Sequence, residues 1–306
     1  MSQIYPETIW HNGALKPWAE ATTHVMAQAI HYGSSVFEGI RSYESPDGAV
    51  IFRLQDHLVR LMGSAKIYDL DMPYGPAELA QACRDVLRAN GLDAAYLRPV
   101  AFRGLGEFGM AAEAPTEVAV GAWPWGPYLG ADAPESGVDA CVSSWQRVAP
   151  NTVPAGAKAG GNYLSGQLIA REARRLGYAE GIALASTGLL SEGAGENLFL
   201  VIDGALHTPP AGAGILAGIT RQTVCTLARE AGIDCIEREL PREYLYLAEE
   251  VFMCGTAAEV TPLRSIDGKP VGAGRPGPVT RRIQDLFFGL FDGRTPDRHG
   301  WLTPVS

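Results

Sequence analysis

A single lysine among small residues, in Pro154-Ala155-Gly156-Ala157-Lys158-Ala159-Gly160-Gly161-Asn162-Tyr163, is the clearest place in this chain for covalent chemistry. A lysine that sheds its hydration and its proton becomes a nucleophile able to hold a carbonyl carbon as a Schiff base. Taken alone, the segment reads more readily as a solvated lysine in a loop. Three further stretches shift that balance. Ser191-Glu192-Gly193-Ala194-Gly195-Glu196-Asn197 sets a carboxylate beside glycines, which let a ligand approach the backbone. Gly218-Ile219-Thr220 opens a helix, where N–H groups and a hydroxyl can hold a phosphate. Gly255-Thr256-Ala257 follows the apolar run Val251-Phe252-Met253-Cys254 and offers N–H groups and a hydroxyl to an anion. Each stretch alone is common: a glycine–threonine helix start is usually punctuation, and the Glu192 region also fits a plain hairpin. Together, the four could serve one cofactor.

The elements that must position these residues alternate between strand and helix patterns. Val50 to Arg53 reads as a short strand, followed by a helix with Leu54, Leu58, Leu61, Met62 and Ala65 on one face. Pro76 opens a second helix that stops at Asn90-Gly91, and Ala95 to Phe102 reads as a strand. The stretch Trp123-Pro124-Trp125-Gly126-Pro127-Tyr128-Leu129-Gly130 is a loop rich in proline, glycine and aromatic rings. It places a domain boundary there: a smaller domain over 1–123, a connecting loop over 124–136 and a larger domain over 137–306. In the second part, Gly137 to Val142 is an alternating strand and Leu164 to Leu176 a helix closed by Gly177. Ser186-Thr187-Gly188 and Asp203-Gly204 each separate apolar runs as hairpin turns do. The helix after Gly218 carries Val224, Leu227, Ala228 and Ala231 on one face, and Val279 to Phe291 reads as a last amphipathic helix.

Composition narrows the class. The chain has 306 residues, 46% of them hydrophobic and 19% charged, an ordinary globular balance with room for two cores. A net charge of -9 argues against broad nucleic-acid binding, which needs a basic stripe. No apolar run approaches the length of a membrane span, and the segment from Met1 to Glu7 has no signal-peptide pattern. Cys83, Cys141, Cys225, Cys235 and Cys254 form no Cys-x-x-Cys pair and do not cluster with histidines. They are expected to be reduced, mostly packed thiols of a cytoplasmic protein, with no metal site.

The order of these pieces resembles the class IV aminotransferases, pyridoxal-phosphate enzymes of fold type IV, and within them the bacterial branched-chain-amino-acid aminotransferases. The resemblance rests on His31-Tyr32-Gly33-Ser34-Ser35-Val36-Phe37-Glu38-Gly39-Ile40-Arg41, Ser64-Ala65-Lys66-Ile67-Tyr68 and Pro150-Asn151-Thr152-Val153-Pro154 leading to Lys158. It continues through Ser191 to Phe199, Gly218 to Arg221, Tyr246-Leu247-Ala248 and Gly255 to Glu259, and so covers nearly the whole chain. It implies a two-domain α/β (α+β) fold, with a smaller N-terminal α/β domain and a larger, mixed, barrel-like C-terminal domain clasping the cofactor. The activity implied is reversible transfer of the amino group of leucine, isoleucine or valine to 2-oxoglutarate, giving glutamate and a 2-oxo acid by ping-pong kinetics. A cytoplasmic homo-oligomer is implied, at least a dimer, with a hexamer as the other family form.

The resemblance also implies roles. Lys158 would hold pyridoxal 5'-phosphate covalently and shuttle the substrate proton. Glu192 would face the pyridine nitrogen, and Tyr163 the ring hydroxyl. Ile219, Thr220 and Thr256 would bind the phosphate, with Arg60 as counter-charge. Tyr96 and the turn Thr256-Ala257 would take the α-carboxylate, and Arg98, helped by Tyr32 and Tyr128, the distal carboxylate of glutamate. Phe37, Trp125, Tyr128 and Ala257 would line the apolar side-chain pocket. Arg60 is where pattern alone points the other way: it lies off the apolar face of its helix and reads as a solvated arginine. The loop Phe102-Arg103-Gly104-Leu105-Gly106-Glu107-Phe108-Gly109-Met110 departs from the family's usual form. In the family that loop reaches the neighbouring subunit's pocket. Its Gly-x-Gly-x-x-Gly spacing, Gly104 to Gly109, lacks the strand–helix context of a dinucleotide site. Within the same fold, a D-amino-acid or (R)-amine transaminase is the alternative, and a lyase making 4-aminobenzoate comes third. A cofactor-less binding protein is the alternative of a different class.

Overall fold

The strand expected near Ala95 runs from Ala95 to Arg103 and forms the spine of an eight-stranded sheet. In the computed structural model, which describes residues 5–126 and 128–306, this sheet has a continuous order. It runs Leu302–Pro304, Val50–Phe52, Ile40–Tyr43, Ala95–Arg103, Thr116–Trp123, Thr8–His11, Ala14–Pro17, with Ser35–Phe37 also paired to Ala95–Arg103. Every pairing in it is antiparallel. The helices Leu54–Ile67 and Pro76–Ala89 lay Leu58, Leu61, Leu79, Val86 and Leu87 against Leu97, Val118 and Val120 of the sheet. Each large apolar side chain so buried contributes roughly 1.5–3 kcal/mol. The second helix begins as its sequence dictates: Pro76 needs no N–H partner, and the Glu78 carboxylate accepts the Gly75 N–H at 2.9 Å.

The second sheet has nine strands and is mixed. Its order is Leu190–Gly193, Glu180–Leu184, Val138–Val142, Glu259–Ile266, Glu250–Gly255, Asn197–Ile202, Ala205–Thr208, Cys235–Glu237, with Lys269–Pro270 beside Glu259–Ile266. The Asp203-Gly204 hairpin forms as expected, with φ of 52° and 73° suiting the right-handed twist of its strands. The helices expected at 164–176 and 279–291 run Tyr163–Arg175 and Pro278–Asp292. The Glu250 carboxylate caps the last of these, accepting the N–H groups of Val279 and Thr280 at 3.0 and 2.7 Å.

The chain divides into two compact units. The first comprises Met1–Trp125, Ala157–Gly161 and Asp297–Ser306; the second Gly126–Gly156 and Asn162–Pro296. The range expected for the larger domain, 137–306, therefore includes two stretches that pack with the first unit. The reason is pairing at long sequence separation: Leu302 pairs with Phe52, and Ala159 bridges to Val36. The connecting stretch 124–136 is not all loop, since Ala133–Ser136 is a helical turn; Pro127 within it, like residues 1–4, lies outside the described residues. The glycine-rich loop after Arg103 joins two antiparallel neighbours, Ala95–Arg103 and Thr116–Trp123, with no helix after it. That arrangement excludes the dinucleotide reading of its glycines.

Candidate active site

In the first unit the site is built on one polar stripe of the helix Leu54–Ile67. His57, Arg60 and Ser64 lie three and four residues apart, on a face different from that of Leu54, Leu58 and Leu61. Ser64 Oγ accepts the backbone N–H of Lys158 at 3.0 Å, and the Lys158 carbonyl accepts the N–H of Phe37 at 3.0 Å. These bonds fix the lysine backbone from both sides. Its Nζ stands 5.0 Å from the centre of the Phe37 ring.

Arg60 is not a solvated arginine. Its Nε and Nη2 donate to the two oxygens of Glu38, each at 2.7 Å, in a bidentate fork. His57 donates from Nδ1 to the same carboxylate at 2.7 Å, and Glu38 and His57 are fully buried. Burial alone would raise the Glu38 carboxyl; the charge and hydrogen bond of Arg60, with those of His57, outweigh it and hold the pKa at about 2, against 4.5. Burial pushes His57 below its usual 6.5 despite the Glu38 contact.

Both groups therefore bind more protons in the unfolded chain than in the folded one, and acid must destabilise the fold. The His57 share falls as pH drops through 6.5. The Glu38 share is complete above about 4.5 and is lost down to about 2, a difference of roughly 3 kcal/mol. Urea unfolding at a series of pH values should show that loss, and Glu38→Gln should flatten its lower part. An unchanged profile in the variant would place the acid sensitivity elsewhere.

Tyr96 and Arg98 project from one face of Ala95–Arg103, two residues apart. Arg98 Nη2 donates to the Tyr96 hydroxyl at 3.2 Å, and the guanidinium carbon lies 4.6 Å from the Phe37 ring centre and 5.3 Å from that of Tyr96. Arg98 Nε is buried without a hydrogen-bond partner among the described residues. The Tyr96 ring meets Trp125 edge-on at 4.5 Å. Gly39 makes room for it, because a Cβ there would lie 1.9 Å from the Tyr96 hydroxyl. Gly39→Ala should therefore displace that hydroxyl. Tyr32 closes the short helix Gln28–Tyr32 and is exposed.

In the second unit, Glu192 lies buried on the strand Leu190–Gly193. Its Oε1 receives Arg147 Nη2 at 2.7 Å; its Oε2 receives Asn197 Nδ2 at 3.0 Å and the N–H of Leu216 at 3.1 Å. Gly195 faces Tyr163, in the first turn of its helix: a Cβ on Gly195 would stand 4.0 Å from the Tyr163 ring. Ile219 and Thr220, both buried, open the helix Ile219–Glu230, and no acidic residue lies in its first turn. The N–H groups of a helix's first turn point out along its axis, and the helix dipole favours an anion there. Gly218 before them cannot carry a side chain, since its Cβ would fall 1.9 Å from Asn197 Oδ1. Thr256 and Ala257 form the turn between the paired strands Glu250–Gly255 and Glu259–Ile266. Tyr128 is exposed.

Sequence reasoning passed over Arg147, Asn197, His57, Ser64 and Glu38 as functional groups. Arg147 carries no motif or periodicity that could have marked it. The spacing of His57, Arg60 and Ser64, three and four residues apart on one helix, was the available signal for His57 and Ser64.

The donor set fits a phosphorylated pyridine aldehyde. The first unit holds a lysine fixed through its backbone, and the second a buried carboxylate and an acid-free helix start with a hydroxyl, the donor types such a molecule requires. The family model described as Amino-transferase class IV matches residues 35–266. The chain is 57% identical over 302 residues to the branched-chain-amino-acid aminotransferase of Salmonella typhimurium, covering 97% of each. It is 43% identical over 299 residues to that of Pseudomonas aeruginosa, again covering 97% of each. Among solved structures, the Escherichia coli branched-chain amino acid aminotransferase superposes with a TM-score of 0.98 at 56% identity, covering 98% of this chain and 100% of that one. The branched-chain amino acid aminotransferase of Thermobaculum terrenum, solved in its PLP-bound holo-form, gives a TM-score of 0.91 at 36% identity, covering 99% and 100%. A lysine site of this geometry, matched by the family over most of the chain and by whole-length relatives, makes this protein a member of the class IV aminotransferases.

Proposed function

We propose that the protein is a pyridoxal-phosphate-dependent aminotransferase that exchanges the amino group of leucine, isoleucine or valine with 2-oxoglutarate, reversibly, in two alternating half-reactions. The observation that carries the substrate reading is Arg98, braced by the Phe37 and Tyr96 rings with a buried Nε that has no partner among the described residues. An apolar wall with one arginine can accept an aliphatic side chain in one half-reaction and a second carboxylate in the other. A carboxylate in a purely apolar pocket would be costly. The whole-length relatives carry the branched-chain name, which disfavours the D-amino-acid and (R)-amine alternative.

When bound, the cofactor supplies an electron sink for the substrate carbon that loses its proton. The chain's residues do the rest. Lys158 holds the cofactor covalently and, once displaced, takes and returns the proton at the substrate Cα. Glu192, paired with Arg147, keeps the ring nitrogen protonated. Tyr163 hydrogen-bonds the ring hydroxyl. The N–H and hydroxyl groups of Ile219, Thr220 and Thr256 take the phosphate, and Arg60, its fork fixed by Glu38, supplies the counter-charge. Tyr96 and the Thr256-Ala257 turn orient the α-carboxylate. Arg98, with Tyr32 and Tyr128, takes the distal carboxylate, and Phe37, Trp125, Tyr128 and Ala257 take the aliphatic chain.

The protein works in the cytoplasm as a homo-oligomer, a dimer or a hexamer. No described helix is long and apolar enough to cross a membrane. The exposed Val25, Ile30, Phe108 and Met110 are apolar surface suited to a subunit contact. Light scattering of the holoenzyme measures the subunit number, and a monomer at working concentration would overturn this part.

Arg98→Leu tests the pocket. Loss of a charge-assisted contact of about 2–3 kcal/mol predicts a roughly thirty- to hundred-fold drop in kcat/KM for glutamate and 2-oxoglutarate. The leucine half-reaction should fall much less. An equal loss for both would move Arg98 to the α-carboxylate, which both substrates share.

A further inference from the structure

Two thiols far from any sequence motif meet in the second unit. Cys225 lies within the helix Ile219–Glu230, and Cys235 is the first residue of the strand Cys235–Glu237. The Cys235 thiol donates to Cys225 Sγ at 2.6 Å, and both are free thiols. Their ten-residue separation follows no disulfide or metal pattern, which is why they read as packing groups. The fold brings them together because the helix turns back at Gly232, φ 75°, into a strand that pairs in parallel with Ala205–Thr208.

We propose that Cys225 and Cys235 are a redox-active dithiol, converted by peroxide or by exchange with a small disulfide into a reversible cross-link. The link pins the helix bearing Ile219 and Thr220 to its neighbouring strand. The surroundings support a reactive pair. Arg221 and Arg229 stand one turn to either side of Cys225 on the same helical face. Arg229 Nη2 also donates to the carbonyl of Cys235 at 3.4 Å, holding the second cysteine to the helix. The hydrogen bond from Cys235, then the charges of Arg221 and Arg229, bring the Cys225 thiol below its usual range against the effects of burial and of Glu237, which is paired with Arg221. That favours the thiolate, which is the nucleophile. Cys225 itself is buried, and the partly exposed Cys235 in contact with it marks the side from which an oxidant reaches the pair.

With hydrogen peroxide, the Cys225 thiolate attacks one oxygen and hydroxide leaves, giving a sulfenic acid. The sulfur of Cys235 then displaces the sulfenic hydroxyl, which leaves as water with the Cys235 thiol proton, and the S–S bond forms; the hydroxide of the first step takes up the proton that the Cys225 thiol had released. Net, two thiols and one peroxide give one disulfide and two waters. Because the sulfurs already touch, little movement is needed, and the link closes a short loop in the unfolded chain.

The experiment treats the full-length holoenzyme with dilute peroxide or oxidised dithiothreitol, blocks remaining thiols, and digests it with trypsin. Cleavage at Arg229 separates the two cysteines. The expected product is a cross-linked pair of the peptides 222–229 and 230–238, reverting with dithiothreitol and absent in Cys225→Ser and Cys235→Ser. The oxidised enzyme should melt roughly 5 °C higher than the reduced one, as expected of a short-loop disulfide in a chain of this size. Oxidation of Cys235 to sulfinic acid without the linked peptides, or a link between other cysteines, would overturn the proposal. An oxidised enzyme that carries the link yet melts no higher would overturn the pinning role.

Discussion

Lys158→Ala is expected to abolish transamination and to leave the fold standing. In the role proposed for Lys158, the variant would lose both the covalent attachment and the base that moves the Cα proton. General acid–base catalysis alone is worth roughly 10²- to 10⁴-fold, so turnover should fall by at least about a hundredfold, and further for the lost attachment. The fold should persist because the chain at this position is held by its backbone: the Lys158 N–H reaches Ser64 and its carbonyl receives Phe37 N–H, and neither bond uses the ammonium. Borohydride treatment of the wild-type holoenzyme, followed by peptide mapping, should find the cofactor on Lys158. Label on another lysine, with Lys158 unmodified, would reassign the role.

Glu192→Gln should slow proton transfer by roughly a hundred- to a thousand-fold, the size of losing one preorganised electrostatic contact in a closed site. The structure adds a second consequence. Glu192 is the partner of buried Arg147 at 2.7 Å, so the glutamine leaves that arginine charge uncompensated. Breaking a buried pair from one side costs on the order of 3–5 kcal/mol, and the variant should also melt lower. Adding Arg147→Met should restore part of the melting temperature without restoring the rate. A double variant that regained the rate would show that another group protonates the ring.

Much of this was legible in the sequence because local rules and the fold agree. Asp203-Gly204 forms its hairpin because those residues tolerate positive φ, and Pro76 starts its helix where its missing N–H does no harm. What escaped depends on chain that returns from afar. The exception is Asn12-Gly13, a local turn signal that was passed over and makes the first hairpin with φ of 49° and 93°. The strand Leu302–Pro304 pairs with Val50–Phe52 across most of the chain. Arg60 looks solvated on its helix until Glu38 covers it from another element. Arg147 reaches Glu192 from a stretch with no regular pattern of its own. Lys158, Glu192, Thr220 and Thr256 stood out because small residues surround each of them. Cys225 and Cys235 did not, because spacing along the chain says nothing about thiols joined by a helix and a turn.

A single half-reaction is the most direct test of the proposed chemistry. Stoichiometric holoenzyme is mixed with L-leucine in the absence of any 2-oxo acid, and both the cofactor absorbance and released 2-oxo acid are followed. The expected result is loss of the aldehyde-form absorbance with release of 4-methyl-2-oxopentanoate in a single turnover, reversed on adding 2-oxoglutarate with formation of L-glutamate. D-leucine should leave the spectrum unchanged. A spectrum that responds to D-leucine and ignores L-leucine, or one that responds to neither, would contradict it.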